Sequence, residues 1–147
     1  MKDAIRLLLP NGRYRPPATE QQLRAVEAEL RVAIPSPLRE LYLAFDGLRE
    51  PIGNSAYLLP LTECDGASSL LDSTRFFWTE WKQFFPDLDL TPFLFFGLTG
   101  GDDNLGIALA PPHEIIVYHH SMGGDFQRAG ADLLQVYRQD HERMLEL

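Results

Sequence analysis

Cysteine is almost absent from this chain: Cys64 is the only one among 147 residues. A single cysteine excludes an intramolecular disulfide and a zinc site built from several thiolates. The core must therefore come from packing, and a chain of this length can bury roughly 68–70% of its unfolded surface. We expect one domain over residues 1–147, and the scarcity of cysteine favours a cytoplasmic protein.

Long apolar runs are also lacking. The short apolar patch at residues 5–9 contains Arg6, follows Asp3 and is cut off by Pro10. This pattern fits neither a signal peptide nor a membrane span. We therefore expect a soluble protein with no membrane partner.

Positive charge is scarce in the middle of the chain. Residues 46–125 hold three Lys/Arg and twelve Asp/Glu, a balance of −9, whereas residues 1–32 have a balance of +2. The acidic segment repels nucleic acid, whose binding requires the opposite sign. It would attract a basic protein, although acidity for solubility alone is an alternative interpretation.

Motifs for metal binding and catalysis are missing as well. His119 and His120 are neighbours in a predicted strand, so their side chains point to opposite faces and do not readily hold one ion. Cys64 lies beside Asp65, whose carboxylate raises a thiol pKa rather than lowering it. We predict no metal and no cofactor. A small hydrolase using His119 or Asp102 is the least favoured alternative.

Two helices are indicated near the N-terminus. Thr19 and Gln22 form a capping-box pattern, and the helix that they open is expected to end at Pro35. Ser36-Pro37 then begins a second helix, with Ser36 as the N-cap and Gly47 beyond its C-terminal end. The apolar faces consist of Leu23, Val26 and Leu30 in the first helix, and of Leu38, Leu41, Tyr42 and Phe45 in the second.

The remainder predicts short strands and two more helices. Ala56–Leu61 is expected as an edge strand because it contains Pro60, and a helix is expected from Thr74 to just before Pro86. Strands over 93–96, 105–110, 114–119 and 126–129 suggest an antiparallel meander. Asp132 can cap a last helix with the apolar stripe Leu133, Tyr137, Met144 and Leu145. The fold class is α+β, a mostly antiparallel curved sheet packed by helices.

The order and spacing of these features resemble the SUKH superfamily, which includes the yeast cell-wall-assembly regulator and many bacterial immunity proteins. The resemblance covers residues 19–145 and leaves residues 1–18 as an N-terminal extension. Three groups of residues carry it: Ile34-Pro35 and Asp46-Gly47 around the second helix, Phe96-Gly97 with Gly100-Gly101-Asp102 between strands, and Val117-Tyr118-His119 at a strand end.

The resemblance implies a binding protein without catalytic residues. We predict an immunity protein that neutralises a cognate toxin by occlusion, the toxin being a basic protein domain such as a nuclease. The alternative is a regulatory or scaffold module with an endogenous host partner. The oligomeric state is left open.

Six residues are predicted to contact the partner: Glu50, Asp65, Trp78, Asp102, Asp103 and Asn104. The last three belong to a glycine-rich turn, in which we expect the glycines to supply positive φ and the acids to meet basic groups. Trp78 is selected from a dense aromatic run as an exposed anchor, since Trp is enriched at interfaces. The alternative for that run is a place in the core.

Overall fold

Two antiparallel sheets form the centre of the computed structural model, which describes residues 1–51, 56–63, 68–119 and 126–146. The first sheet contains β1 (Arg13–Tyr14), β2 (Leu48–Arg49) and β3 (Ala56–Leu58). The second is a meander of β4 (Phe93–Leu98), β5 (Asn104–Ala108), β6 (Ile115–Tyr118) and β7 (Phe126–Gly130). The sheets meet where the Leu59 amide donates to the Phe96 carbonyl at 2.8 Å. The predicted α+β class and the meander are confirmed.

The helices are α1 (Lys2–Leu8), α2 (Glu20–Leu30), α3 (Ser36–Ala44), α4 (Leu70–Arg75), α5 (Trp81–Phe84) and α6 (Leu133–Leu145), with a π-helical turn (Phe76–Glu80) joining α4 to α5. The capping box of α2 is confirmed: the Thr19 amide donates to Gln22 Oε1 at 2.8 Å and the Gln22 amide to Thr19 Oγ1 at 3.1 Å. In the part of the chain that the structure describes, no helix is long and apolar enough to cross a bilayer.

Strand β4 is buried on both of its faces because alternate side chains enter two different cores. Leu94 and Phe96 join the main core, together with residues of α2, α3 and α6. Phe93 and Phe95 face the other way, into a smaller core with Phe77, Leu90, Ile116 and Tyr118. The aromatic helical segment from α4 to α5 supplies the covering layer on that second face.

The N-terminal extension is part of the packed structure. Ile5 and Leu9 are fully buried in the main core, and Ala18 joins them there. The Tyr14 hydroxyl donates to the Leu9 carbonyl at 2.7 Å, which fixes the chain between α1 and β1.

Several helix boundaries differ from those predicted. The α2 helix ends at Leu30, before Pro35, and Arg31 follows it in a left-handed conformation with φ of 58°. Pro35 rather than Ser36 is the N-cap of α3. Helix α4 begins at Leu70, because the Ser69 hydroxyl accepts from the Asp72 amide at 3.1 Å and caps it there.

The apolar stripe predicted for α6 extends further toward the C-terminus than the buried face of the helix does. Leu145 is 65% exposed, so the C-terminal end of the helix has left the core. Val136 and Asp140 are buried instead, alongside Leu133 and Tyr137.

Candidate partner-binding surface

A π-helical turn brings residues eight positions apart to one side of the aromatic helical segment. An α-helical turn takes about 3.6 residues and a π turn about one residue more, so residues about eight apart return to the same face. Asp72 in α4 and Glu80 at the end of the π turn stand in this relation, and both line the same groove. π turns are frequent at functional sites.

This groove, of about 650 Å³, lies between the aromatic segment and the turn end of β5. We call it the aromatic groove and define it by Asp72, Phe76, Phe77, Glu80, Trp81 and Asn104. Phe76 is 37% exposed at its wall, whereas Phe77 and Asn104 are buried at its base. The carboxylates of Asp72 and Glu80 are exposed at its rim.

The aromatic walls are held rigidly against the sheet. The Trp81 indole N–H donates to the Tyr118 hydroxyl at 2.7 Å. The Phe77 ring lies 4.5 Å from that of Phe95 and 5.6 Å from that of Tyr118, centroid to centroid. The Phe76 and Trp81 rings are 5.7 Å apart, so two aromatic surfaces border the opening.

The glycine-rich turn between β4 and β5 ends at Asn104, which lies at the base of the groove. Its Thr99 hydroxyl accepts from the amides of Gly101 at 3.2 Å and Asp103 at 3.1 Å. Asp102 adopts the left-handed conformation, with φ of 64°, and the turn glycines do not, which corrects the prediction. Asp and Asn tolerate this conformation better than most residues.

Gly100 is required in this turn by close packing. A Cβ atom there would lie 2.4 Å from both Cγ and Sδ of Met144 in α6. The Gly100 amide donates to Asp140 Oδ2 at 3.0 Å, and Arg143 Nη2 donates to Asp140 Oδ1 at 2.5 Å. The buried Asp140 carboxylate thus fixes the turn to the last helix.

The three predicted contact residues of this turn have different environments. Asp102 is exposed, and its carboxylate has no ion-pair partner within the described ranges. Asp103 Oδ2 lies 2.9 Å from His119 Nδ1, and its side chain is 22% exposed. Asn104 is 7% exposed at the base of the groove.

Glu50 and Trp78 are less exposed than we expected of contact residues. Glu50 is 2% exposed, so its carboxylate cannot face a partner. Trp78 is partly buried, and its indole N–H donates to the Phe93 carbonyl at 2.8 Å. One turn earlier, Thr74 Oγ1 accepts from the Phe95 amide at 3.0 Å. The Trp78 and Thr74 side chains thus provide hydrogen-bond partners for two backbone groups at the outer edge of β4, the Phe93 carbonyl and the Phe95 amide.

Asp65, one of the six predicted contact residues, lies outside the described residues. Cys64 and His120 lie outside them as well. Within the described ranges, no group of three or more His, Cys, Asp and Glu side chains is placed to hold a metal ion. His119 instead pairs with Asp103.

The groove residues Asp72, Phe76, Glu80 and Trp81 were not singled out from the sequence as contact residues. The aromatic spacing indicated a helix, but ordinary α-helical periodicity places Asp72 and Glu80 about 80° apart around its axis rather than in line. A one-residue π insertion leaves no clear signal in the sequence.

The family comparison agrees with this architecture. A model of the SMI1 / KNR4 family (SUKH-1) matches residues 17–138, from just before α2 into α6. No curated protein matches the chain closely enough to be named as a relative. Since the family match extends over most of the sequence, the chain belongs to the SMI1 / KNR4 family (SUKH-1).

Proposed function

We propose that this protein is an immunity protein that binds a basic toxin domain and blocks it by occlusion. Membership of SUKH-1 supports a protein-binding role, since this family is associated with protein interactions. The observation that carries the proposal further is a set of exposed, unpaired carboxylates, two of which line the aromatic groove.

Most of the acidic side chains in the middle of the chain are exposed and unpaired. Six exposed ones have no ion-pair partner within the described residues: Glu63, Asp72, Glu80, Asp87, Asp89 and Asp102. Between residues 56 and 119 the only cations are Arg75 and Lys82, and Arg75 is already paired with Glu29 in α2. The unpaired carboxylates are available to a cationic partner.

The N-terminal helices differ in this respect. Glu20 and Glu27 of α2 both pair with Arg39 of α3, so their charges are partly compensated within the fold. The negative potential is therefore concentrated on the sheet and the aromatic segment, which is where steering of a basic partner would act.

Occlusion requires no chemical step from this chain. Long-range attraction would speed the encounter, and a few aromatic contacts in a desolvated centre would slow dissociation. Phe76 and Phe84, which are 37% and 70% exposed, provide apolar surface beside the unpaired carboxylates. An acidic rim around an aromatic centre is a typical interface composition.

Capture from a lysate of the native organism, followed by inhibition with purified components, tests this function. The tagged protein is used at low and high salt, and bound proteins are identified by mass spectrometry. We expect one basic partner with a toxic activity, held less tightly as salt rises, and we expect that activity to stop when the purified protein is added in equimolar amount.

Two results would contradict the proposal. One is a captured toxin that stays fully active in the complex. The other is an endogenous housekeeping partner bound equally well at both salt concentrations, which would favour the regulatory or scaffold role.

A further inference from the structure

We propose that the aromatic groove binds the guanidinium group of an arginine side chain supplied by the protein partner. The inference deepens the proposed function, on which it rests for the identity of the partner, and its chemistry can be tested without that partner.

The size and lining of the groove suit one long cationic side chain. Its volume of about 650 Å³ is within the range of small-ligand sites, and its walls are aromatic. Phe76 and Trp81 border the opening with rings 5.7 Å apart. A planar guanidinium stacks on such rings more favourably than a compact ammonium does, because it is delocalised and weakly hydrated.

The rim of the groove carries unsatisfied negative charge. Asp72 and Glu80 are exposed, and within the described residues neither carboxylate has a cationic partner. A guanidinium between them could donate to one or both carboxylates in the forked geometry that arginine provides. Lysine would supply a point charge but not this fork.

The arginine that the protein itself places in the groove lining already has an ion-pair partner. Arg75 also lines the groove, but its guanidinium pairs with Glu29 in α2. Glu29 thus compensates Arg75, and the groove keeps the net negative charge of Asp72 and Glu80. This charge complementarity identifies an arginine rather than an acidic or apolar group as the occupant.

The groove can be probed with small amides and read out at two tryptophans. The full-length protein, labelled with ¹⁵N, is titrated with N-acetyl-arginine methylamide, with the lysine analogue, and with the uncharged isostere citrulline. The Trp81 indole signal reports the groove. The Trp78 indole, held by Phe93 on the edge of β4, is an internal reference outside it.

We expect the arginine amide to shift the Trp81 signal and leave Trp78 unmoved, with weaker effects from lysine and none from citrulline. The double variant Asp72→Asn/Glu80→Gln should weaken arginine binding about tenfold or more, as loss of charge-assisted hydrogen bonds implies. A matched control, Glu40→Gln/Glu142→Gln, removes the same charge at exposed positions of α3 and α6 outside the groove lining and should bind as wild type does.

Equal shifts from citrulline and arginine, or equal losses in the two double variants, would overturn the inference. A groove that binds arginine in a protein that inhibits no toxin would leave the inference standing and remove the proposed function. Full toxin inhibition by the Asp72→Asn/Glu80→Gln variant at unchanged affinity would overturn the inference and leave the proposed function standing.

Discussion

The indole N–H of Trp81 and the hydroxyl of Tyr118 form a 2.7 Å hydrogen bond that fastens the aromatic segment to strand β6. Tyr118 is fully buried in the smaller core, and Trp81 packs on it from the partly exposed side. The bond fixes one wall of the aromatic groove and links the groove's shape to the integrity of the sheet.

Removal of the Tyr118 hydroxyl should loosen that wall. Tyr118→Phe keeps the ring and removes the oxygen that accepts this bond, so we predict a loss of about 1–2 kcal/mol in the free energy of unfolding. Urea denaturation measures the loss, and combining the variant with Trp81→Phe in a double-mutant cycle isolates the pair. Simple additivity of the two losses would mean that the bond contributes nothing.

Gly97 is needed where the two sheets meet. An added Cβ would lie 2.4 Å from the Tyr57 carbonyl oxygen, a backbone atom that is also held by the Tyr137 hydroxyl at 2.9 Å. We therefore predict that Gly97→Ala destabilises the fold by about 2 kcal/mol or more. The control is Gly101→Ala, since a Cβ at that position has its nearest neighbours at 3.8 Å. Equal melting temperatures for the two variants would contradict this account.

Asp46 should make the stability depend on pH in mild acid. Burial raises the pKa of its carboxyl, although the Leu61 amide donates to it at 2.9 Å and Arg15 lies nearby. A raised pKa in the folded state favours the protonated form there. The contribution of Asp46 is thus fully present below its unfolded pKa and declines as pH rises through its folded pKa.

The variant Asp46→Asn tests this sign. Asparagine keeps an oxygen that can accept from the Leu61 amide but does not titrate, so the pH-dependent decline above about pH 4 should be smaller than in wild type. At neutral pH the variant should be at least as stable. Unfolding by urea from pH 3.5 to 7 measures both effects, and a variant weaker at neutral pH with an unchanged pH profile would contradict them.

Asp102 should act on the rate of association rather than on the fold. Asp102→Asn removes the charge but suits the left-handed backbone at this position, where φ is 64°. We predict a change in stability below about 0.5 kcal/mol and an association rate roughly twofold lower at low salt. Stopped-flow mixing with the captured partner at two salt concentrations measures the rate. An unchanged rate at low salt would remove Asp102 from the contact surface.

Local patterns in the sequence predicted the parts of the fold that local chemistry determines. The Thr19–Gln22 capping box is formed as expected, because both partners lie within one helical turn. The meander followed from short strands separated by turn signals.

Contacts between distant parts of the chain determine the features that the sequence did not predict. Trp78 was selected as an exposed anchor, but it bonds to Phe93, fifteen residues away, on a strand edge whose need for partners is not visible in the sequence. Glu50 is buried by the assembly of the sheets rather than by its neighbours in sequence. The π insertion turns Asp72 and Glu80, about 80° apart in a regular α-helix, onto one side of the segment, and helical periodicity alone does not predict that alignment.

Growth protection by matched variants tests the central claim most directly. Cells that express the captured toxin also express wild-type protein, the groove variant Asp72→Asn/Glu80→Gln, or the control Glu40→Gln/Glu142→Gln, at equal and verified levels. We predict that wild type and control restore growth and that the groove variant protects poorly. Toxin that kills equally in the presence and absence of the wild-type protein would contradict the account.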